Sequence, residues 1–111
     1  MDPVQFYKCL ADETRLRSLL LIAREHELCV CELTEALNES QPKISRHLAQ
    51  LRACGLLNDK RQGQWIYYRI HQELPEWAVT VIHQTLNVSA EYLQQNIRNL
   101  NNMTERPNRC G

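Results

Sequence analysis

The sequence predicts a mainly α-helical chain carrying one small β-hairpin. Three observations carry this. Apolar residues recur at helical spacing between Asp12 and Arg24; a later helix opens on Ser40 and Pro42; and the strand-rich run Trp65 to Ile70 follows a glycine turn. At 111 residues the chain suits one domain, in which roughly 60–70% of the unfolded surface is buried. That domain is expected over residues 1–100, with a mobile polar tail over 101–111.

Leu16, Leu19, Leu20 and Ala23 follow the i, i+3, i+4, i+7 pattern, with Asp12 as N-cap of a scaffold helix. A shorter helix spans about Val30 to Leu37 and stops at Asn38. Ser40 then caps a further helix, whose second position, Pro42, needs no donor in the first turn. On it Ile44, Leu48 and Leu51 share one face, leaving Pro42, Lys43, Arg46, Ala49 and Gln50 on the other. Two helices around a short turn form a helix-turn-helix. Gly55 is the expected left-handed stop. Leu56 to Lys60 then leads through Arg61-Gln62-Gly63-Gln64 into Trp65–Ile70, a hairpin with a basic tip, or wing. After Pro75 the chain returns to helix, where Leu86, Ala90, Leu93, Ile97 and Leu100 repeat as a helix–helix seam. A seam there predicts a homodimer through the N- and C-terminal helices.

Net charge is zero, but its distribution is uneven. Residues 1–39 carry four basic against eight acidic side chains, whereas residues 40–69 carry six basic against one acidic, a local net of +5. Positive charge therefore concentrates on the helix-turn-helix and wing, as double-stranded DNA requires. Gln41 and Ser45 are the expected hydrogen-bond readers of base edges. Lys43, Arg46 and Arg61 lie nearer phosphate, and His47 belongs to the same cluster. Trp65, Tyr67, Tyr68 and Trp77 are read as packing residues, and His83 as a surface or interface histidine.

Five cysteines at irregular spacing make a poor disulfide framework and fit a reducing compartment. No apolar run approaches a membrane span, and Met1-Asp2-Pro3 lacks a signal-like opening, so the expected location is cytoplasmic. Cys29 and Cys31 form a soft-ligand pair nine residues ahead of the recognition segment. Cys9 and Cys54 sit in apolar stretches and read as core. The chain holds no Cys-x-x-Cys motif, phosphate loop or nucleophile–histidine–carboxylate set, so no enzyme and no catalytic cofactor is expected.

Taken together, Leu-Ala-Asp-Glu-Thr-Arg-Leu (10–16), Glu-Leu-Cys-Val-Cys (27–31), Ser-Gln-Pro-Lys-Ile-Ser-Arg-His-Leu (40–48), Gly-Leu-Leu (55–57) and Gln-Gly-Gln-Trp with Tyr-Tyr-Arg resemble the ArsR/SmtB family of winged-helix repressors, particularly its arsenic-responsive branch. The resemblance spans about Val4 to Leu100. It implies a homodimer that represses an arsenic-resistance operon until trivalent arsenic or antimony binds the cysteines and frees the DNA. Members of that branch often carry a third cysteine three positions after the second, where this chain has Thr34. A hydroxyl is a hard substitute for a thiolate. The third donor is therefore expected from Cys9, Cys54 or Cys110 within the chain, of which Cys110 has the reach and Cys9 packs in the first helix, or from a solution thiol or hydroxide. Residues i and i+2 project about 200° apart on a helix but share one face on an extended segment, so if the segment after Cys29 is helical, one ion is expected to open its first turn to hold both. Two rival signals remain. Relatives that sense cadmium, lead or zinc share Leu-Cys-Val-Cys but add cysteines from an N-terminal extension, for which this chain starts too near its first helix. A thiol-redox sensor would instead pair Cys29 with Cys54 or Cys110.

Overall fold

Three of the helices open on a side-chain cap. In the computed structural model, which describes residues 1–103, Asp2 accepts from the Val4 N–H to open α1 (Pro3–Leu10). Asp12 accepts from the Arg15 N–H to open α2 (Glu13–Glu25). After His26, held at φ 76°, the chain forms a two-residue strand, β1 (Leu28–Cys29), that leads directly into α3 (Val30–Leu37). Asn38 ends α3 in the left-handed region at φ 53°, a conformation asparagine tolerates better than most residues. Ser40 then accepts from the Lys43 N–H to open α4 (Gln41–Ala53), with Pro42 in the donor-poor first turn. The helix-turn-helix thus falls where expected.

Past the Cys54 cap, α4 closes as a Schellman motif. Gly55 at φ 81° donates to the Arg52 carbonyl, and Leu56 donates to the Leu51 carbonyl, each at 3.0 Å. The wing follows as β2 (Leu57–Gln62) and β3 (Trp65–Ile70), paired antiparallel from Leu57↔Ile70 to Gln62↔Trp65. Its turn is tighter than expected: Arg61 and Gln62 belong to the strand, and only Gly63 and Gln64 form the tip. Gly63 has φ 64° and Gln64 does not share it, the pattern of a II′ hairpin turn, which favours glycine first. β1 pairs with the other edge of β3, Cys29 opposite Tyr67, giving the sheet order β1-β3-β2. This third strand was not expected.

The C-terminal segment corrects the sequence reading. α5 (Glu76–Val88) and α6 (Ala90–Asn101) are separate helices broken at Ser89, whose hydroxyl donates to the Thr85 carbonyl. The expected seam is therefore not continuous. Leu93 and Leu100 are buried within the monomer because α6 folds back onto α3. Asn96 and Asn99 both donate to the Ala36 carbonyl, and Arg17 lies 3.8 Å from the Tyr92 ring centre while donating to Asn96. Ala90, counted in the seam, is exposed.

The core sits around α2, where Leu19, Leu20, Leu21 and Ile22 are all buried, and draws in Leu33, Ile44, Leu48, Leu51, Leu56 and Leu57. Each such aliphatic side chain contributes about 1.5–3 kcal/mol on burial. This core fixes α3, α4 and the wing on one scaffold. Phe6, also fully buried, meets the Trp77 ring edge-on at 5.0 Å and ties α1 to α5. Met103 is buried beyond the last helix. Among the described residues no helix is long and apolar enough to cross a membrane.

Candidate functional site

α4 presents Gln41, Pro42, Arg46, Ala49 and Gln50 to solvent and turns Ile44, Leu48 and Leu51 inward, so its outer face is polar and basic. Ser45 is half-buried on the same helix, and Arg61 is exposed on β2 beside the hairpin tip. The positive charge of residues 40–69 is not all available. Lys43 is held by Glu39 at 2.6 Å, Arg52 by Asp59 at 3.0 Å and Arg69 by Glu27 at 2.6 Å. Among the described residues Arg46, Lys60 and Arg61 have no such partner, which leaves one cation on the helix and two on the wing. Sequence reading missed Lys60. Its exposure on the same strand as Arg61 was legible once the hairpin boundaries were known.

His47 lies elsewhere than expected. It is only 8% exposed, with Nδ1 3.4 Å from Arg15 Nη1 and 3.8 Å from Asp12 Oδ2. Its position is three residues after Ile44, on the buried face, and that periodicity was the available signal. Arg15 also donates to the Cys9 carbonyl at 2.6 Å and to Gln50 Oε1 at 2.9 Å, so one guanidinium fastens α1, α2 and α4 together. The carboxyl of Asp12 is held below its ordinary value, chiefly by the hydrogen bond from the Arg15 N–H and also by the nearby His47 and Arg15 charges.

Geometry also overturns the expected cost of bringing the cysteines together. Cys29 is the N-cap of α3, with extended backbone at φ −93° and ψ 170°, and only Cys31 lies in the helix. The two Sγ atoms are 3.9 Å apart. A soft ion with bonds to sulfur of about 2.3 Å would need its donors roughly 3.3–3.8 Å apart, so no turn of helix must unwind. Cys29 and Glu32 form a capping box in which the Cys29 N–H donates to Glu32 Oε1 at 3.0 Å and sulfur takes the place usually held by a hydroxyl. The positive end of the α3 dipole faces both sulfurs and favours anionic donors there. Cys29 is buried and Cys31 half-buried, which leaves one side of the pair open.

Thr34 is unsuited to complete a donor set, because its hydroxyl donates back to the Val30 carbonyl at 2.9 Å. Among the described residues no group of three or more His, Cys, Asp or Glu side chains is placed to hold a metal ion. Cys110, the expected third donor, lies outside the described residues.

Residues 12–59 match the family described as bacterial regulatory protein, arsR family. Over 107 residues the chain is 55% identical to the arsenic resistance transcriptional regulator ArsR1 of Pseudomonas putida, covering 96% of this chain and 84% of that one. The chain belongs to the arsR family. It is also 51% identical over 98 residues to the arsenical resistance operon repressor of Escherichia coli, covering 88% and 84% of the two chains. Among solved structures it is similar to the AntR antimony-specific transcriptional repressor, at a TM-score of 0.65 and 32% identity, covering 82% and 79%.

As an arsR-family regulator the protein is a DNA-binding transcription factor with a winged helix-turn-helix fold. Within that fold the cysteine pair occupies a joint. Through β1, Cys29 pairs opposite Tyr67 on the wing strand β3, while Cys31 lies in the first turn of the helix that feeds the turn into α4. Arg69, on β3, reaches across to Glu27 just ahead of β1 and reinforces the same joint.

Proposed function

We propose that this chain is a homodimeric, cytoplasmic repressor of an arsenic-resistance operon, freed from operator DNA when trivalent arsenic or antimony binds Cys29 and Cys31. The observation that carries this reading is the sulfur pair, 3.9 Å apart, at the joint between the wing sheet and the helix-turn-helix. The names borne by the Pseudomonas putida, Escherichia coli and AntR relatives agree with it.

Two protein sulfurs leave trivalent arsenic one donor short of three. Cys110 is the intramolecular candidate for that place, and a small thiol or hydroxide the external one. An ion bonded to both sulfurs couples the wing strand to the first turn of α3. Since α3 leads into α4 through three residues, a change at that joint tilts α4 against the wing. Gln41 and Ser45 would meet base edges, and Arg46, Lys60 and Arg61 phosphates, joined by Lys43 where a phosphate displaces Glu39, while buried His47 supports α4 from behind. The apolar side chains left exposed on α1 and at the start of α5 (Val4, Tyr7 and Trp77) offer a dimer face. A dimer reads two half-sites about 34 Å apart, so a small tilt loses one of them.

The test is a fluorescence-anisotropy titration of operator DNA with arsenite, antimonite, cadmium and an oxidant at fixed salt. Release by arsenite or antimonite is expected. Release by cadmium alone, or by oxidant alone, would transfer the role to one of those signals. In the same assay Arg46→Ala and Arg61→Ala should each reduce the salt slope by about one.

A further inference from the structure

A second pair of cysteines lies at the C-terminal end of α4. Cys9, on α1, and Cys54, the C-cap of α4, are both free thiols and line the same groove. Cys9 Sγ also donates to the Gln50 carbonyl at 3.8 Å. Both line a largely apolar groove of about 310 Å³, bordered by Lys8, Arg15, Gln50 and Ala53. Cys9 is 5% exposed and Cys54 partly exposed, so the groove reaches one thiol directly and the other just beneath it.

We propose that Cys9 and Cys54 form a second dithiol site, selective for a neutral trivalent organoarsenical, R–As(OH)2, over divalent cations. Two As–S bonds form and two As–O bonds break, and the two thiol protons leave with the two hydroxyls as water. Arsenic stays trivalent and no net charge changes. That stoichiometry suits this place. Burial and the neighbouring Cys54 push the Cys9 thiol up to about 12, so it rests protonated, and the condensation carries that proton away in the water it forms and leaves no charge in the groove. A divalent cation would instead have to expel two protons and settle beside Lys8 and Arg15, two cationic neighbours. The organoarsenical brings only two exchangeable bonds, which two thiols satisfy, and its organic group finds the apolar groove. Bound there, it staples α1 to the end of the recognition helix. This does not rest on the role proposed for Cys29 and Cys31.

The full chain carrying Cys29→Ser, Cys31→Ser and Cys110→Ser, with only this pair left, is titrated to equilibrium with phenylarsine oxide. Intact mass and titration of the remaining thiols are the readouts. One equivalent bound with loss of both titratable thiols is expected, together with at least tenfold weaker binding when Cys54→Ala is added. Cadmium should leave both thiols titratable. Capture of the arsenical by a single thiol, unchanged binding in the Cys54→Ala variant, or cadmium protecting both thiols equally well would each overturn the proposal. Cys54 is partly exposed at a helix end, so Cys54→Ala keeps the test open even if a Cys9 variant fails to fold.

Discussion

The two cysteine pairs of this chain sit at different joints, one at the start of α3 and one at the C-terminal end of α4, and differ in almost every physical respect. Cys29 and Cys31 are neighbours in sequence, gathered by a strand-to-helix junction, and face the positive end of α3. Cys9 and Cys54 are brought together only by the packing of α1 against the end of α4. The first pair bridges elements that the wing and the helix-turn-helix both depend on. The second joins α1 to a helix end already fixed by the Gly55 stop and the Arg15 hub. The contrast teaches that a thiol pair signals to DNA according to what it spans. A site across the α3–wing joint can move α4 against β3, while a site at the far end of α4 strengthens a contact that already exists.

The largest expected effect separates the pairs directly. Cys29→Ser/Cys31→Ser should raise the arsenite concentration for half-release of operator DNA by on the order of 100-fold or more, the scale of removing a soft donor pair, with DNA affinity unchanged. Cys9→Ser/Cys54→Ser should leave arsenite release within about twofold. Anisotropy measures both, and a reversed ranking would break the comparison. Next in size is Glu32→Ala. Glu32 is 4% exposed and closes the capping box on Cys29, so its loss should lower stability by about 0.5–2 kcal/mol in urea unfolding. Arsenite should then bind more weakly as the sulfurs lose their fixed spacing. Unchanged stability and response would mean that the cap does not hold the pair in place.

A smaller effect tests the joint itself. Glu27→Gln removes the ion pair to Arg69, whose side chain is 43% exposed, so about 0–1 kcal/mol is at stake. The inducer midpoint should shift by up to about fivefold while affinity for DNA in the absence of arsenite stays level. A loss of DNA affinity with no inducer shift would place the pair in the reading head instead of in the coupling.

Much of this arrangement was legible in the chain because it is local. Caps at Asp12 and Ser40, the stop at Gly55 and the turn at Gly63 are written in residues that act on their own backbone within a few positions. The Cys29/Cys31 pair belongs to the same class, although its geometry was misjudged. The helix was expected from about Val30, as found, but applying helical spacing to the pair missed that a two-residue strand, too short to show any period, puts Cys29 in extended backbone. The features that escaped are tertiary. Residues Leu86 to Leu100 keep an unbroken apolar spacing across Ser89, and tertiary contacts, among them the bonds from Asn96 and Asn99 to Ala36 and from Arg17 to Asn96, hold α6 back so that Leu93 and Leu100 are buried internally. Cys9 and Cys54 each read as ordinary core residues, since nothing in either neighbourhood points to the other.

The smallest effect sharpens the comparison through pH. A thiol raised from 9.0 to about 12 in the folded state contributes stability that is fully present below pH 9 and is lost as pH rises toward 12. The stability difference between the native chain and Cys9→Ala should therefore be constant from pH 7 to 8.5 and should narrow above pH 9, as urea unfolding at each pH would measure. Pulsed alkylation at pH 8 should label Cys54 well before Cys9, because the thiolate is the reacting form and Cys9 is both buried and protonated. If the difference widened with pH, Arg15 would be stabilising a Cys9 thiolate. The second pair would then be an anionic donor set like the first, and the distinction between a neutral clasp and an ion-binding joint would dissolve.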